Sequence, residues 1–400
     1  MIEINPNKIK KAEIVVGIPS YNESDTISNV VKKVDQGLQM YFKNKKAVII
    51  NGDNNSPDNT RDVFLNTKTK TPKIYISTPR NVLGKGNNLR NIFLKIKTLE
   101  ADSSMLIDAD VKNVTPGWVK CLISPILKGY DYVSPVYYRE EDDALITNHI
   151  CYPLIYGLLG YNIRQPIAGE AGFSRSLVQY WLSQKWSQSI KKFGIDIFMT
   201  MYAIKGRFKL CRVDLGAKIH KHSAPKLDYM FLQVVDVFFN ILCKNKNLWQ
   251  KKINVYGLPL VCRTKVGRYP DFELDYKQFK EKADSEFLAN YHSIKKYLSS
   301  NTWKQVEQIF VKEKTLKIDS DLWIQILYDM LWAYNRALNK KTDKEKIIRF
   351  LRIFYFARIV MFSEEVVNKS AEETEQAIER QAQDFYRRRG YLLSLHKKLV

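Results

Sequence analysis

Short apolar runs alternate with helix-length stretches along the first part of the chain. The runs Ile14–Ile18, Ala47–Ile50, Lys73–Ser77 and Met105–Ile107 are rich in Val and Ile and close in polar, turn-prone segments. Runs of that length and composition read as strands. A βα rhythm of this kind predicts a largely parallel, Rossmann-like sheet, so the fold class is α/β. Beyond it the pattern becomes mixed. A strand is expected at Tyr132–Tyr137, helical stretches near Ala144–Leu159 and Ile195–Ile204, and a strand near Arg207–Val213. From about Asp271 the chain reads as helices, and Glu364–Arg389 carries an amphipathic helical pattern. At 400 residues the chain exceeds the usual size of one core. The expected division is therefore 1–269 for the sheet domain and 270–400 for an α-helical C-terminal domain.

In parallel sheets ligands bind beyond the carboxyl ends of the strands. Here those ends read PSYNESDT (Pro19 to Thr26), NGDNNSPDNT (Asn51 to Thr60), PRNVLGKGNN (Pro79 to Asn88) and Asp108-Ala109-Asp110. Two carboxylates one residue apart in a turn can face a hard cation and a diphosphate bound to it, and such a cation would act as a Lewis acid on the leaving group. The competing reading is that an aspartate at a strand end only caps the next helix. Gly84 and Gly86 let backbone approach a ligand closely, and Lys85 between them supplies a charge for a phosphate; otherwise the three form an ordinary loop. Tyr21 can stack on a base, and Glu23 and Asp53 can accept hydrogen bonds from a ribose or base, though both also suit turns and helix starts. His220 is a competent third metal ligand if the fold returns it to the aspartates. With His222 it forms HKH, which can equally be a solvated basic turn.

Composition narrows the partners. Lys and Arg number 64 against 42 Asp and Glu, a net charge of +22 that favours anionic ligands. The basic residues are spread over the whole length, which fits a lysine-rich solvated surface better than a nucleic-acid site. Neither GxxxxGK[ST] nor GxGxxG occurs, which removes the P-loop and dinucleotide readings. Five cysteines without a CxxC pair suggest reduced, buried thiols and a cytoplasmic setting. The polar N-terminus does not resemble a signal peptide. ICYPLIYGLLGY is too short to span a membrane, and FLRIFYFARIVMF is interrupted by Arg352 and Arg358.

Taken in order, IPSYNE, NGDNNSPDNT, LGKGNN and LIDAD resemble the nucleotide-binding half of a GT-A glycosyltransferase. REEDDALIT (Arg139 to Thr147), RQPIAGE (Arg164 to Glu170), FGID (Phe193 to Asp196) and GAKIH (Gly216 to His220) are similar to motifs of retaining mannosylglycerate synthases and glucosyl-3-phosphoglycerate synthases. The resemblance implies transfer of mannose or glucose from GDP-mannose, GDP-glucose or UDP-glucose to D-glycerate, 3-phosphoglycerate or a similar hydroxy acid, as in compatible-solute synthesis. It implies a divalent cation, Mg²⁺ or Mn²⁺, held by Asp108, Asp110 and His220. Donor binding would fall to Pro19, Tyr21, Glu23, Asp53, Lys85, Asp108 and Ala109, and acceptor binding to Arg139 and Thr147. Asp196 would lie near the reacting sugar, with Glu170 in the QPIAGE turn. Asp196 is either a nucleophile or an orienting group in a front-face reaction, and the second role is favoured. Departures are Asn54, Asn55 and Pro57 in the second loop and Ala168 where the family has glycine. They leave the base and the sugar open. Two other readings stand beside this one: a GT-A transferase with a different acceptor such as a lipid phosphate, and a non-catalytic basic binding protein. A homo-oligomer is possible.

Overall fold

The computed structural model describes residues 2–138, 144–221, 226–264 and 275–397. Among the described residues nine strands form one sheet: β1 (Ile2–Ile4), β2 (Ile14–Ser20), β3 (Ala47–Asp53), β4 (Lys73–Ser77), β5 (Ser103–Leu106), β6 (Tyr132–Tyr138), β7 (Ala171–Ser174), β8 (Leu210–Ala217) and β9 (Leu260–Arg263). Their order is β1-β4-β3-β2-β5-β7-β6-β8-β9. The four strands read from the apolar runs pair in parallel. Nearly every residue of β2 to β5 is buried, which explains their continuous apolar character, because helices cover both faces. Val16, Ile18 and Ile49 share a core cluster with Val30, Val31 and Val34 of the helix Ile27–Tyr41 and with Trp118, Val119 and Leu122 of the helix Pro116–Leu127. The helix Lys85–Thr98 packs against β2 and β3 through Ile92.

The sheet turns mixed at β7, which lies antiparallel between β5 and β6. Its carbonyl-to-amide direction carries the chain from the segment before it, residues 164–170, onto the carboxyl end of β5. β8 is parallel to β6 and ends at the same edge. The strand expected near Arg207 begins three residues later, because Arg207 sits in the left-handed region and turns the chain.

The chain divides into two compact units, and not by a cut at 269/270. Unit 1 comprises Met1–Tyr138, Arg164–Ser223 and Leu258–Pro270, and unit 2 comprises Arg139–Ile163, Ala224–Gly257 and Asp271–Val400. Segments expected in the sheet domain belong to the helical unit because of what they bury. The helix Leu227–Lys244 packs on the helices Ser320–Arg336 and Lys341–Val366. The 144–159 stretch contains π-helical turns at Thr147–Cys151 and Ile155–Leu159, and Tyr152 within it packs with Phe362, Val366, Ile378 and Ala382.

The tail expected as one helix over Glu364–Arg389 is broken. The helix Lys341–Val366 stops, and Ser370 starts Ala371–Arg387 with a reciprocal Ser370–Glu373 capping box. Arg358, which interrupts an apolar run, is buried and satisfied. Its guanidinium donates to Glu365, Gln381 and the Ile318 carbonyl, as a buried charge requires. Among the described residues no helix is long and apolar enough to cross a membrane.

The cysteines are not all reduced. Cys121 and Cys262, 141 residues apart, form a disulfide, while Cys151, Cys211 and Cys243 are free and buried. The bond fastens the edge strand β9, whose residues alternate between half-buried and exposed, to the helix Pro116–Leu127. The inference of a reducing compartment from uniformly free thiols therefore does not hold.

Candidate active site

The turn after β5 and the segment after β8 are zipped together. Lys112 donates its backbone N–H to the Ile219 carbonyl (2.8 Å). The Asn113 side chain donates to the Ala217 carbonyl (2.8 Å) and accepts from the Ile219 N–H (2.9 Å). This pairing returns His220 to the aspartates, the condition under which it can be a third ligand. His220 is near enough to interact electrostatically with both Asp108 and Asp110, and its Nδ1 lies 2.7 Å from the Lys221 carbonyl. Among the described residues no three His, Cys, Asp or Glu side chains are gathered into a ready metal cage.

Around Asp108 runs a chain of alternating charges. Lys85 Nζ lies 2.9 Å from Asp108 Oδ1 and 3.2 Å from Asp196 Oδ2. Lys218 Nζ lies 3.5 Å from Asp108 Oδ2 and 2.8 Å from Glu170 Oε2. Tyr137 donates its hydroxyl to the same Glu170 oxygen (2.7 Å). Asp108, Asp110, Glu170 and Asp196 against Lys85 and Lys218 leave a formal charge of minus two at neutral pH, taking His220 as neutral.

The surroundings set the protonation of each member. Burial opposes ionisation of Asp108, yet Lys85 and then Lys218 outweigh it and hold the carboxyl well below its ordinary range. Burial and then the Asp108 charge push the Asp110 carboxyl up, and Lys218 opposes them only in part. Burial pushes Asp196 up to about 6, with Asp108 adding to the shift and Lys85 opposing it. Burial disfavours the Lys85 ammonium, but Asp108 and Asp196 prevail and raise it far above the ordinary lysine value.

The glycines beside Lys85 do something other than admit a ligand. A Cβ on Gly86 would stand 2.0 Å from the Ile190 carbonyl oxygen, and one on Gly84 would stand 2.3 Å from that of Lys191. The Gly86 and Asn87 N–H groups donate to the Lys192 and Lys191 carbonyls, both at 3.0 Å. The glycines thus seat the 189–192 backbone on the start of the helix Lys85–Thr98. That segment leads into the helix Ile195–Lys205, which presents Asp196 in its first turn.

The first two polar loops buttress each other. The N–H groups of Asn22, Glu23 and Ser24 donate to Ser56 Oγ, Thr60 Oγ1 and Asp58 Oδ2 (2.9, 2.8 and 3.1 Å). Asp53 is buried at the hub. It accepts from Ser20 Oγ (2.9 Å), Ser56 Oγ (2.6 Å), the Ser56 N–H (2.8 Å) and Tyr75 OH (2.9 Å). A carboxylate offers about four acceptor positions, so Asp53 spends its capacity on holding the loop. Pro19 is buried on β2 opposite Gly52, Ala109 is in the core cluster, and Tyr21 is exposed. Glu23 is raised by burial and accepts from Thr26 while pairing with Lys221 at 2.8 Å. Lys221 also reaches Asp25 at 2.7 Å and so clasps the first loop, while His222 lies outside the described residues.

Of the expected site residues, Lys85, Asp108, Asp110, Glu170, Asp196 and His220 share one electrostatic neighbourhood. Thr147 is buried in the helical unit, at the start of the turn Thr147–Cys151, and Arg139 lies outside the described residues. Lys218 and Asn113 were not anticipated. Their only signal in the sequence is proximity to His220 and to the aspartates.

No curated protein matches this sequence. Solved structures that it is similar to include glucosyl-3-phosphoglycerate synthase from Mycobacterium tuberculosis in complex with Mn²⁺, UDP and phosphoglyceric acid (23% identity, 57% of this chain and 78% of that one, TM-score 0.48). The same enzyme with Mg²⁺ and UDP gives 22% identity over 57% and 79% of the two chains, TM-score 0.47. Residues 15–181 match the model of glycosyl transferase family 2.

Proposed function

We propose that this chain is a divalent-metal-dependent hexosyltransferase that moves glucose or mannose from a nucleoside diphosphate sugar to a glycerate-type hydroxy acid, with retention at the sugar. The observation that carries the reading is the charge chain Asp196–Lys85–Asp108–Lys218–Glu170 at the carboxyl edge of the sheet, with Asp110 and His220 beside it. Its formal charge of minus two suits one divalent cation. Asp108, Asp110 and His220 would hold that cation, and two carboxylates with one imidazole suit Mg²⁺ or Mn²⁺, which share their coordination with water and substrate phosphates. When bound, the cation supplies Lewis-acid neutralisation of the diphosphate leaving group.

The protein's own groups do the rest. Lys85 is the cation free to exchange. Its ammonium now bridges two carboxylates, and a diphosphate offers a better-charged partner at the point where negative charge develops. Once Lys85 moves to the phosphate, Asp196 loses a partner and its carboxylate can accept hydrogen bonds from the sugar hydroxyls. With its oxygens buried on the helix Ile195–Lys205 it orients the ring rather than attacking it. The buttressed loops around Asp53 form the nucleoside side, where the Asn54 Oδ1 and Thr78 Oγ1 atoms are buried without partners and suit a base N–H or a ribose hydroxyl. The acceptor assignment to Arg139 and Thr147 rests on the sequence resemblance.

The test is incubation of the protein with Mn²⁺ or Mg²⁺, UDP- and GDP-hexoses, and D-glycerate or 3-phosphoglycerate, with product anomers read by NMR. An α-linked glycerate product is expected. Donor consumption without any glycerate product would overturn the acceptor class, and no consumption of any donor would overturn the transferase reading.

The pH dependence follows from Asp196. Its ordinary value is 3.8 and burial raises it to about 6, so kcat/KM, which reports the free enzyme, should fall about tenfold per unit below pH 6. The same shift has a sign for stability. The folded state holds this proton more tightly than the unfolded state, so its stabilising contribution is lost as pH rises from about 4 to about 6. A profile that stays level from pH 7 to pH 5 would show that Asp196 ionisation does not matter to turnover.

A further inference from the structure

Lys218 is a buried lysine whose three ammonium directions are all spent inside the protein. It donates to the Ala168 carbonyl (3.0 Å) and to Glu170 Oε2 (2.8 Å), and its third direction faces Asp108 Oδ2 (3.5 Å). Its side chain is 4% exposed, against 16% for Lys85. Lys218 also lies 5.7 Å from the centre of the Tyr137 ring, whose hydroxyl shares Glu170 with it. A lysine buried to this degree, with a carbonyl and a carboxylate at hydrogen-bond distance, costs too much desolvation to be an incidental surface group.

What Lys218 holds is the turn 168–170, and that turn is pressed onto the metal-side carboxylate. Gly169 has φ +86°, and a Cβ there would stand 2.1 Å from Asp108 Oδ2 and 3.1 Å from Lys85 Nζ. Glu170 Oε1 faces the Asp108 backbone N–H at 3.4 Å. The turn therefore forms one wall against Asp108, and Lys218 is tied to both sides of the contact. Lys218 comes from the end of β8, the turn from the start of β7, and Asp108 from the end of β5. One ammonium joins three strand ends.

We propose that Lys218 is a positioning residue: a fixed brace that pins the Ala168–Glu170 turn against Asp108, while Lys85, the more exposed cation, is the one that exchanges to the substrate. The two lysines, alike in the sequence, thus have separate tasks. The kinetic part of the test rests on the transferase reading above, and the exchange part does not.

The experiment compares Lys218→Met, Lys218→Arg, Tyr137→Phe and Lys85→Met in the full chain by amide hydrogen exchange and by donor kinetics. In Lys218→Met the peptides covering 165–171 should exchange at least about tenfold faster, with β2 and β5 peptides unchanged. Lys85→Met should leave the 165–171 peptides as in the wild type. In kinetics, Lys218→Met should lower kcat by about 100-fold with donor KM nearly unchanged. Lys85→Met should raise donor KM. Lys218→Arg, which keeps the charge, should restore part of kcat. Tyr137→Phe should move both readouts in the same direction by less, and it serves as the brace test if Lys218→Met does not fold. Unchanged exchange at 165–171, or acceleration spread evenly over the sheet, overturns the brace. A donor KM rise matching that of Lys85→Met overturns it too, since Lys218 would then contact the donor. A wild type that turns over no nucleotide sugar sinks the transferase reading, and the exchange result still decides the brace.

Discussion

Asp108→Asn and Asp110→Asn should each reduce transfer by at least about a thousandfold, the size expected when a pre-organised electrostatic group is removed from a phosphate site, yet shift stability in opposite directions. Asp108 is the anion between two lysines, Lys85 at 2.9 Å and Lys218 at 3.5 Å. Neutralising it leaves both ammoniums in a largely buried setting without that partner, a loss of about 3 kcal/mol in unfolding free energy. Asp110 is the anion that burial and Asp108 disfavour. Neutralising it removes a repulsion, so the metal-free protein should unfold at the same or a higher temperature. Thermal unfolding without metal, together with donor turnover at saturating Mn²⁺, separates the two. Loss of stability in Asp110→Asn equal to that in Asp108→Asn would show that the electrostatic assignment is wrong.

Gly86→Ala should be the most damaging single methyl group in the sheet unit. The added carbon meets backbone, the Ile190 carbonyl oxygen at 2.0 Å and Lys191 Cα at 2.7 Å, so no rotamer change relieves it. The 189–192 segment must lift, giving up the hydrogen bonds from Gly86 and Asn87, and the expected cost is about 3 kcal/mol. Because that segment sets the start of the helix Ile195–Lys205, the Lys85–Asp196 pair should part as well, with turnover falling about 100-fold. Gly390→Ala is the comparison, since nothing lies within 4 Å of its added carbon. Denaturant midpoints and kcat for the two variants check this; equal midpoints would mean that the clasp between the two segments is loose.

The strands and their polar ends were legible because burial on both faces leaves a plain signal, an unbroken run of Val and Ile ending in Asp, Asn or Gly. β7 left no such signal. AGFS is a strand only because β5 and β6 offer it edges to pair with, a fact of tertiary position. The partners of Asp53 were not legible, since Ser20, Ser56 and Tyr75 converge on it from three segments. Lys218 was hidden for a similar reason. A lysine at a strand end reads as surface until Glu170, 48 residues earlier, is found beside it. Cys121 and Cys262 are too far apart in the chain for spacing to suggest a bond. The helical tail misled through composition, because a continuous amphipathic pattern says nothing of a break that Ser370 and Glu373 enforce locally.

The threading of the chain between its two units limits how the protein can be taken apart or have been put together. Residues 139–163 and 224–257 leave the sheet unit, contribute to the helical one and return. A stop codon after residue 270 would therefore not release a catalytic half. It would strip the helix Leu227–Lys244 of the helices it packs on and leave Phe231, Val235, Phe238 and Leu242 facing water. The helical unit is thus no appendage joined end to end in a gene fusion. Its parts inside the first 270 residues, 139–163 and 224–257, lie between segments of the sheet unit, so neither unit is encoded by one uninterrupted stretch of sequence.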